Sequence, residues 1–137
     1  MTATLIGISA GLFTILIVAL FKRVDKNLFY GLVLTGIGFL YIGYSWTNIA
    51  DLILNILQAL FFLLLAYFGV KKNSNFLIAG YFIHGLWDFI YSHVGNAELL
   101  PPHYDLFCST YDFIIGFYLL MLKYQKSRND AMTPNDA

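Results

Sequence analysis

The sequence predicts an all-α integral membrane protein, a bundle of five transmembrane helices with the N-terminus outside and the C-terminus in the cytoplasm. Composition is the first reason, because 59% of the 137 residues are hydrophobic and 12% are charged. A soluble domain carries about 25% charged residues. The placement of charge is the second reason. All eight Lys and Arg residues fall in three clusters, at 22–26, 71–72 and 123–128, separated by almost continuously apolar sequence.

The three basic clusters determine the predicted orientation. Loops on the cytoplasmic side of a membrane are enriched in Lys and Arg, so clusters on that side require an even number of crossings between them. Two apolar segments separate the first cluster from the second, two more separate the second from the third, and one precedes the first. Five crossings with the N-terminus outside therefore place every basic residue in the cytoplasm.

The first two predicted helices lie on either side of the first basic cluster. Helix 1 starts almost at Met1 and is followed by Lys22 and Arg23. A cleaved signal peptide has the opposite charge order, so we expect this helix to be retained. Helix 2 is rich in glycine, which lets membrane helices approach closely. It ends in Tyr44 and Trp46, aromatic residues of the kind that favour a membrane interface.

Helices 3, 4 and 5 follow from the apolar sequence that remains. Residues 60–65 of helix 3 lack any polar side chain, helix 4 begins just after the second basic cluster, and Pro101 and Pro102 precede helix 5. A crossing takes about 20 apolar residues. On this basis the predicted helices are Thr4–Phe21, Leu28–Trp46, Ile49–Val70, Asn75–Tyr91 and Leu106–Lys123.

The connections and the tail complete the predicted organisation. Residues 93–105 form the one long external connection, flanked by Tyr91 and Tyr104 as interface anchors. The chain then divides into a transmembrane domain, 1–126, and a polar tail, 127–137, that we expect to be disordered in the cytoplasm. Gly7 and Gly11 of helix 1 form a G-x-x-x-G motif, which favours close packing, within the chain rather than between two copies.

Three polar side chains in helices 4 and 5 are candidates for function. Ionisable groups inside a span are costly and usually face the bundle interior. His84 and Asp88 are four residues apart and share one face of helix 4. At the helical rise per residue, Asp88, His84 and Asp112 lie roughly 6, 12 and 10 Å below the outer ends of their helices. We therefore expect them to meet in the outer half of the bundle.

Helix 3 supplies a stripe of polar residues to the same layer. Asp51, Asn55 and Gln58 follow one face of this helix, and the last two lie at roughly 9–13 Å from its outer end. Helix 1 contributes only Ser9 and Thr14 and is expected to be peripheral. The sequence thus predicts a pocket between helices 3, 4 and 5 that opens outward.

These motifs resemble those of a family of small bacterial integral-membrane proteins that is defined only as a domain of unknown function. The family pattern reads H-x-x-W-D, a pair of histidines, G-N and C-x-x-C-D. This chain has His84-x-x-Trp87-Asp88, then Gly95-Asn96, then Cys108-x-x-x-Asp112. It departs from the pattern at Tyr91-Ser92, in place of the histidine pair, and at Tyr111, in place of the second cysteine. The resemblance implies a multi-pass protein of the bacterial inner membrane and no known activity.

One hypothesis for the polar cluster is a metal centre. His84, Asp88 and Asp112 supply three ligands of the kind that zinc or a similar divalent ion accepts, and catalytic zinc keeps three protein ligands and one open position. His93, His103 or Asp105 of the external segment would close over it. A metal-bound water attacks esters or amides, so the three residues would be catalytic in a hydrolase of a lipid-like substrate.

Other interpretations of the cluster remain open. In a metal-free binding protein for a small amphipathic ligand, the pocket is lined by Trp87, Asn55, Gln58, Tyr111, Tyr41 and Asp51. A transporter or channel subunit of this length requires a homo-oligomer. In a purely structural interpretation His84 only holds the helices together. Polar contacts between membrane helices stabilise by about 0.6 kcal/mol each, whereas placing an ionisable group in a span costs roughly 2.5–3.5 kcal/mol.

Some classes of function are excluded by composition. The formal net charge is zero, which gives no basis for nucleic-acid binding. A single cysteine excludes an internal disulfide and a cysteine-cluster metal site. The only lysine in a predicted span is Lys123, the last residue of helix 5, so no lysine inside the membrane supplies a retinal-type Schiff base. No second histidine at the depth of His84 supplies the other axial ligand of a haem.

Overall fold

Short polar connections divide the chain into helices. The computed structural model describes residues 1–95 and 97–132, apart from the side chains of Ser92, Val94 and Ala97. The side-chain oxygens of Asp25, Asn48 and Asn73 each accept a hydrogen bond from a backbone N–H in the first turn of the helix that follows. Such caps satisfy donors that have no partner within the helix. The α-helices are α1 Thr2–Leu20, α2 Lys26–Ser45, α3 Ile49–Lys71, α4 Ser74–Val94 and α5 Tyr104–Met132, with a short 3₁₀ helix, Ala97–Leu99, before α5.

The five predicted helices are confirmed, with different ends. The largest difference is in α5, which continues past Lys123 to Met132. Helix α5 therefore includes residues 127–132 of the predicted tail. This segment contains no Gly or Pro before Pro134, and Arg128, Ala131 and Met132 are good helix formers. The rest of the predicted tail, 133–137, lies outside the described residues.

Four of the helices, α1, α2, α3 and α5, are long and apolar enough to cross a membrane. Helix α4 has 21 residues, which is sufficient length, but it carries His84 and Asp88 and is not among these four. The surface is apolar as well. Large hydrophobic side chains are exposed on every helix, including Leu5, Leu32, Leu57, Leu86 and Phe117. A soluble protein does not expose apolar surface on this scale, so the protein is a membrane protein.

Helix α4 lies at the centre of the bundle and packs against α2, α3 and α5, whereas α1 packs on the outer side of α5. Two glycines of α1 make that contact close. A Cβ atom on Gly7 would lie 2.1 Å from Oγ1 of Thr110 and 2.5 Å from the carbonyl oxygen of Phe107. The predicted packing of the G-x-x-x-G motif within the chain is confirmed. In the most apolar stretch of each helix, only 17% of the residues are buried in α1, against 33% in α2, α3 and α5. This difference agrees with the predicted peripheral position of α1.

The apolar core fills the bundle between α2, α3, α4 and α5. Its largest fully buried side chains include Tyr30, Phe62, Leu77 and Tyr81. The Tyr81 hydroxyl donates a hydrogen bond to the carbonyl oxygen of Tyr30 at 2.7 Å, which ties α4 to α2. This core sets the rotation of α4 and thereby the direction in which its polar residues point.

Candidate functional site

An imidazole and two carboxylates meet inside the bundle, in the half that contains the start of α5. His84 Nδ1 lies 2.7 Å from Asp112 Oδ2 and 3.7 Å from Asp88 Oδ2. All three side chains have 0% exposure. One potential ligand atom from each residue lies within 4.8 Å of the other two. The predicted convergence of these residues is confirmed, and together they are called the His/Asp centre below.

Close contact between α4 and α5 brings the centre together. His84 and Asp88 are one turn apart on α4, and Gly85 between them lies against α5. A Cβ atom at Gly85 would lie 3.3 Å from the carbonyl oxygen of Ser109 and 3.4 Å from Cβ of Asp112. The Ser109 hydroxyl donates a hydrogen bond to the carbonyl oxygen of Gly85 at 2.9 Å. Gly85 and Ser109 therefore hold the two helices together at the level of the centre.

Aromatic side chains from α2 and α3 enclose the centre. The Tyr41 hydroxyl donates a hydrogen bond to Asp88 Oδ1 at 2.5 Å, and its ring lies edge-on to His84, with the ring centroids 6.1 Å apart. The ring of Phe62 is closer, 4.6 Å from the imidazole. Tyr91 adds a third aromatic ring, 4.9 Å from Tyr41. The imidazole thus lies in an apolar cage, and its polar contacts are with carboxylates.

The amides of α3 border the same layer. Asn55 is completely buried, and its Nδ2 donates a hydrogen bond to the hydroxyl of Tyr91 at 3.0 Å. Gln58 is 6% exposed, and neither its amide oxygen nor its amide nitrogen has a hydrogen-bond partner among the described residues. Both amides were predicted to lie beside helix 4, and for Asn55 the hydrogen bond to Tyr91 shows this directly.

Several buried polar atoms in this layer have no hydrogen-bond partner in the part of the chain that the structure describes. They are His84 Nε2, Asp88 Oδ2, Asp112 Oδ1, Asn55 Oδ1, both amide atoms of Gln58 and Trp87 Nε1. Buried polar groups in native proteins are almost always hydrogen-bonded, and each exception needs an explanation. Three of these atoms belong to the His/Asp centre itself, whose residue types are able to hold an ion or a polar ligand.

Of three predicted lining residues, Tyr111 directs its hydroxyl elsewhere, and the positions of Trp87 and Asp51 neither confirm nor contradict the prediction. The hydroxyl of Tyr111 donates a hydrogen bond to Oγ1 of Thr14 on α1 at 3.2 Å, so its polar group contacts the peripheral helix and not the His/Asp centre. Consecutive residues of a helix point about 100° apart, and Asp112 already occupies the inward direction. Trp87 is half-buried and packs against Tyr91, with their ring centroids 6.1 Å apart. Asp51 lies in the first turn of α3 and is 9% exposed.

The external segment supplies no ligand to the His/Asp centre among the described residues. His93 is exposed, and its Nδ1 contacts the carbonyl oxygen of Phe89, one turn earlier, at 3.0 Å. His103 is also exposed, in a left-handed backbone conformation with φ of 61°. Asp105 lies in the first turn of α5. The expectation that one of these residues closes over the three ligands is not met, because each stays at the end of its helix or in the connection.

Three residues of the site were not predicted from the sequence. Tyr91 was interpreted as an interface anchor, yet it is 1% exposed and bonds Asn55. Its spacing was informative, because position 91 follows His84 by seven residues and shares its helix face. Ser109, three residues before Asp112, carries the same signal. The position of Phe62 gives no such spacing signal, since an aromatic residue within an apolar run does not indicate which neighbour it contacts.

A family comparison covers most of the chain. The family model "Family of unknown function (DUF6010)" matches residues 2–125. This range includes helices α1 to α4 and most of α5. The chain belongs to this family. No curated protein and no solved structure matches it. The sequence-based resemblance to a family of unknown function is confirmed, and DUF6010 membership carries no activity with it.

Proposed function

We propose that this protein is a multi-pass membrane protein in which His84, Asp88 and Asp112 bind one divalent metal ion such as zinc, and that it hydrolyses an ester or amide of a lipid-like substrate. The observation that carries the proposal is the His/Asp centre itself. It combines a buried imidazole and two buried carboxylates within 4.8 Å with unpartnered polar atoms on all three residues.

Charge favours a divalent ion over simple fastening of helices. Two ionised carboxylates beside one imidazole leave net negative charge in a fully buried site, even when the imidazole is protonated. Burying uncompensated charge costs several kcal/mol per ion. A divalent cation balances both carboxylates and leaves the imidazole neutral, which is the form that binds metal.

The distances fit a metal site after a small adjustment. Two ligands roughly 2.1 Å from a tetrahedral zinc ion are about 3.4 Å apart. The 3.7 Å from His84 Nδ1 to Asp88 Oδ2 is close to this value, and the 2.7 Å to Asp112 Oδ2 is a hydrogen bond that must lengthen. Tyr41, which bonds the other oxygen of Asp88, supports that carboxylate in the way that partners of metal ligands do.

Three protein ligands leave a fourth position for water or substrate, the arrangement of catalytic zinc. A zinc ion held by His84, Asp88 and Asp112 would lower the pKa of a bound water and so supply the nucleophile. In the hydrolysis the water oxygen bonds to the acyl carbon, the bond from that carbon to the leaving oxygen or nitrogen breaks, and a proton passes to the leaving atom. Because the centre is enclosed by membrane-spanning helices, a lipid-like substrate that enters between them is the class of substrate that suits it.

Metal analysis tests the proposal directly. The full chain, purified in detergent without a polyhistidine tag, should contain about one zinc ion per chain, held by three protein ligands. His84→Ala, Asp88→Asn and Asp112→Asn should each lose it. Asp105→Asn is the matched control, because it makes the same chemical change on the same helix outside the centre. Equal zinc in Asp112→Asn and the unmodified protein would contradict the assignment.

Hydrolysis requires a separate measurement. Release of fatty acid from phospholipid and from N-acyl substrates, followed by mass spectrometry, should occur with the zinc-loaded protein and cease after chelation and in Asp112→Asn. A zinc-loaded protein that releases no acyl chain from either class would retain the metal site and refute the hydrolase.

The second candidate function is metal-free binding of a small amphipathic ligand. The unpartnered amide of Gln58, the unpartnered oxygen of Asn55 and the indole N–H of Trp87 favour it, because these neutral groups bind hydroxyl or amide groups better than they bind metal. A metal-free protein that is stabilised by such a ligand, with the effect lost in Gln58→Leu, would support this candidate over the hydrolase. An oligomeric transporter or channel is a further alternative, which a monomeric state in detergent would oppose.

The proposed setting is the inner membrane of a bacterium, with the N-terminus outside and the C-terminus in the cytoplasm. Four helices of sufficient length and apolarity support membrane insertion. The orientation is supported by the eight basic residues, all of which lie at the end of the bundle opposite the His/Asp centre. They lie between α1 and α2, at the first residue of α2, at the end of α3 and just after it, and in the last turns of α5. This end is called the basic end below.

A further inference from the structure

A cavity lies at the basic end, away from the His/Asp centre. It has a volume of about 160 Å³ and is lined by Asn27, Ser74, Leu119, Leu122, Lys123 and Lys126. Since one water molecule occupies roughly 30 Å³ of the liquid, this space admits a group larger than one water. Three helices, α2, α4 and α5, contribute to its wall.

The charge of this cavity is positive. Lys123 and Lys126 are three residues apart and share a face of α5. The ammonium group of Lys123 donates a hydrogen bond to the amide oxygen of Asn75, which holds it over the start of α4. Within residues 1–95 and 97–132, no ion pair of either lysine with a carboxylate is observed. The cavity thus presents two cationic groups, and the nearest acid along α5, Asp130, lies one turn beyond Lys126.

Charge is distributed unevenly over the whole molecule. All eight basic residues lie at the basic end, whereas five of the eight acidic residues lie in the other half. Those five are Asp51, Asp88, Glu98, Asp105 and Asp112. Helix α4 also begins at this cavity, with Ser74, and the first N–H groups of a helix add partial positive charge. An anion is the ligand that this end of the molecule favours.

The apolar part of the wall distinguishes a lipid from a free ion. Leu119 is 6% exposed and belongs to the core, and Leu122 is half-buried beside it. The two leucines lie on the membrane side of the lysines, where the apolar part of α5 ends. A headgroup phosphate followed by an acyl chain matches this order of polar and apolar contacts. Basic pockets between membrane helices on the cytoplasmic side are known binding sites for anionic headgroups.

We infer that this cavity binds the phosphate of an anionic phospholipid. Lys123 and Lys126 pair with the phosphate oxygens, and Leu119 and Leu122 contact the first carbons of an acyl chain. The site is independent of the proposed metal centre and of hydrolysis.

Native mass spectrometry of the purified full chain tests this site. Bound lipid is counted while short-chain phosphatidylglycerol, or phosphatidylcholine with the same chains, is added. We expect phosphatidylglycerol to bind at least about tenfold more tightly, since each basic residue near an anionic surface contributes roughly fivefold. Lys123→Gln together with Lys126→Gln should remove the preference.

Two controls separate a site from general attraction and from misfolding. Lys22→Gln with Arg23→Gln removes the same charge from exposed positions at the same end of the molecule, and should retain most of the preference. Lys123→Arg with Lys126→Arg keeps the charge and should also retain it. Equal binding of both lipids, equal losses in the two Gln pairs, or displacement of phosphatidylglycerol by millimolar inorganic phosphate would overturn the inference.

Discussion

Asp112 is the residue whose replacement best separates function from structure. Its Oδ2 lies 2.7 Å from His84 Nδ1, and an asparagine oxygen is able to accept the same hydrogen bond. If the carboxylate serves a metal, Asp112→Asn should keep or raise the unfolding temperature of the metal-free protein, because a charged group leaves an apolar setting. Zinc at a hundredfold excess over its Kd should stabilise the unmodified protein by about 2.7 kcal/mol and the variant by much less. Thermal unfolding in detergent measures both effects.

Ser109→Ala is the control for that experiment. It removes the hydrogen bond from the Ser109 hydroxyl to Gly85 in the same layer, with an expected loss of about 1 kcal/mol and no change in zinc binding. A large loss of stability in metal-free Asp112→Asn would show that the carboxylate is chiefly structural, and would remove the support for a metal centre.

Tyr41 is predicted to act on the centre through Asp88. Tyr41→Phe removes a hydrogen bond of 2.5 Å to that carboxylate and should weaken zinc binding about tenfold, as loss of a partner to a metal ligand does. Tyr81→Phe is matched to it, because that hydroxyl is equally buried but bonds the carbonyl oxygen of Tyr30 in the core. It should lower stability and leave the Kd for zinc unchanged. Similar zinc affinities in the two variants would refute a role for Tyr41.

The attachment of α1 depends on glycine. Gly7→Ala places a methyl group against Thr110 and against the backbone oxygen of Phe107. Since backbone cannot rotate away, α1 must move, with an expected cost of about 1–3 kcal/mol. Gly36→Ala is the control, because nothing lies within 4 Å of its position and alanine improves helix propensity by about 1 kcal/mol. Thermal unfolding and the rate of proteolysis before residue 26 compare them. Equal stability of the two variants would contradict the packing described for α1.

Helix number and the meeting of His84, Asp88 and Asp112 followed from the sequence, since both depend on local spacing and on the rise per residue. The contacts of α2 and α3 did not, because they depend on how each helix is rotated about its own axis. Tyr41 was expected only as an apolar wall, yet it bonds Asp88. Tyr111 was expected beside the ligands, yet it faces α1. A single sequence sets no rotation angle for a helix that is apolar on most sides.

Orientation in the membrane is the prediction that concerns the whole molecule. Cysteines introduced at Glu98 and Lys72, both exposed, test it, since the native Cys108 is buried. A membrane-impermeant thiol reagent added outside should label position 98, and position 72 should react only after the membrane is opened. Labelling in the reverse pattern would invert the topology, because positively charged connections favour the cytoplasm.

The polar character of α4 bears on how the protein is made. Each helix leaves the ribosome in order, and Asp112 on α5 emerges after His84 and Asp88 have already reached the membrane. Ionisable residues within a span oppose insertion, and α4 is not among the helices apolar enough to insert by composition. Helix α4 therefore depends on helices on both sides of it in the chain. We therefore expect stable insertion of α4 to be completed only when α5 has been synthesised and packs against it.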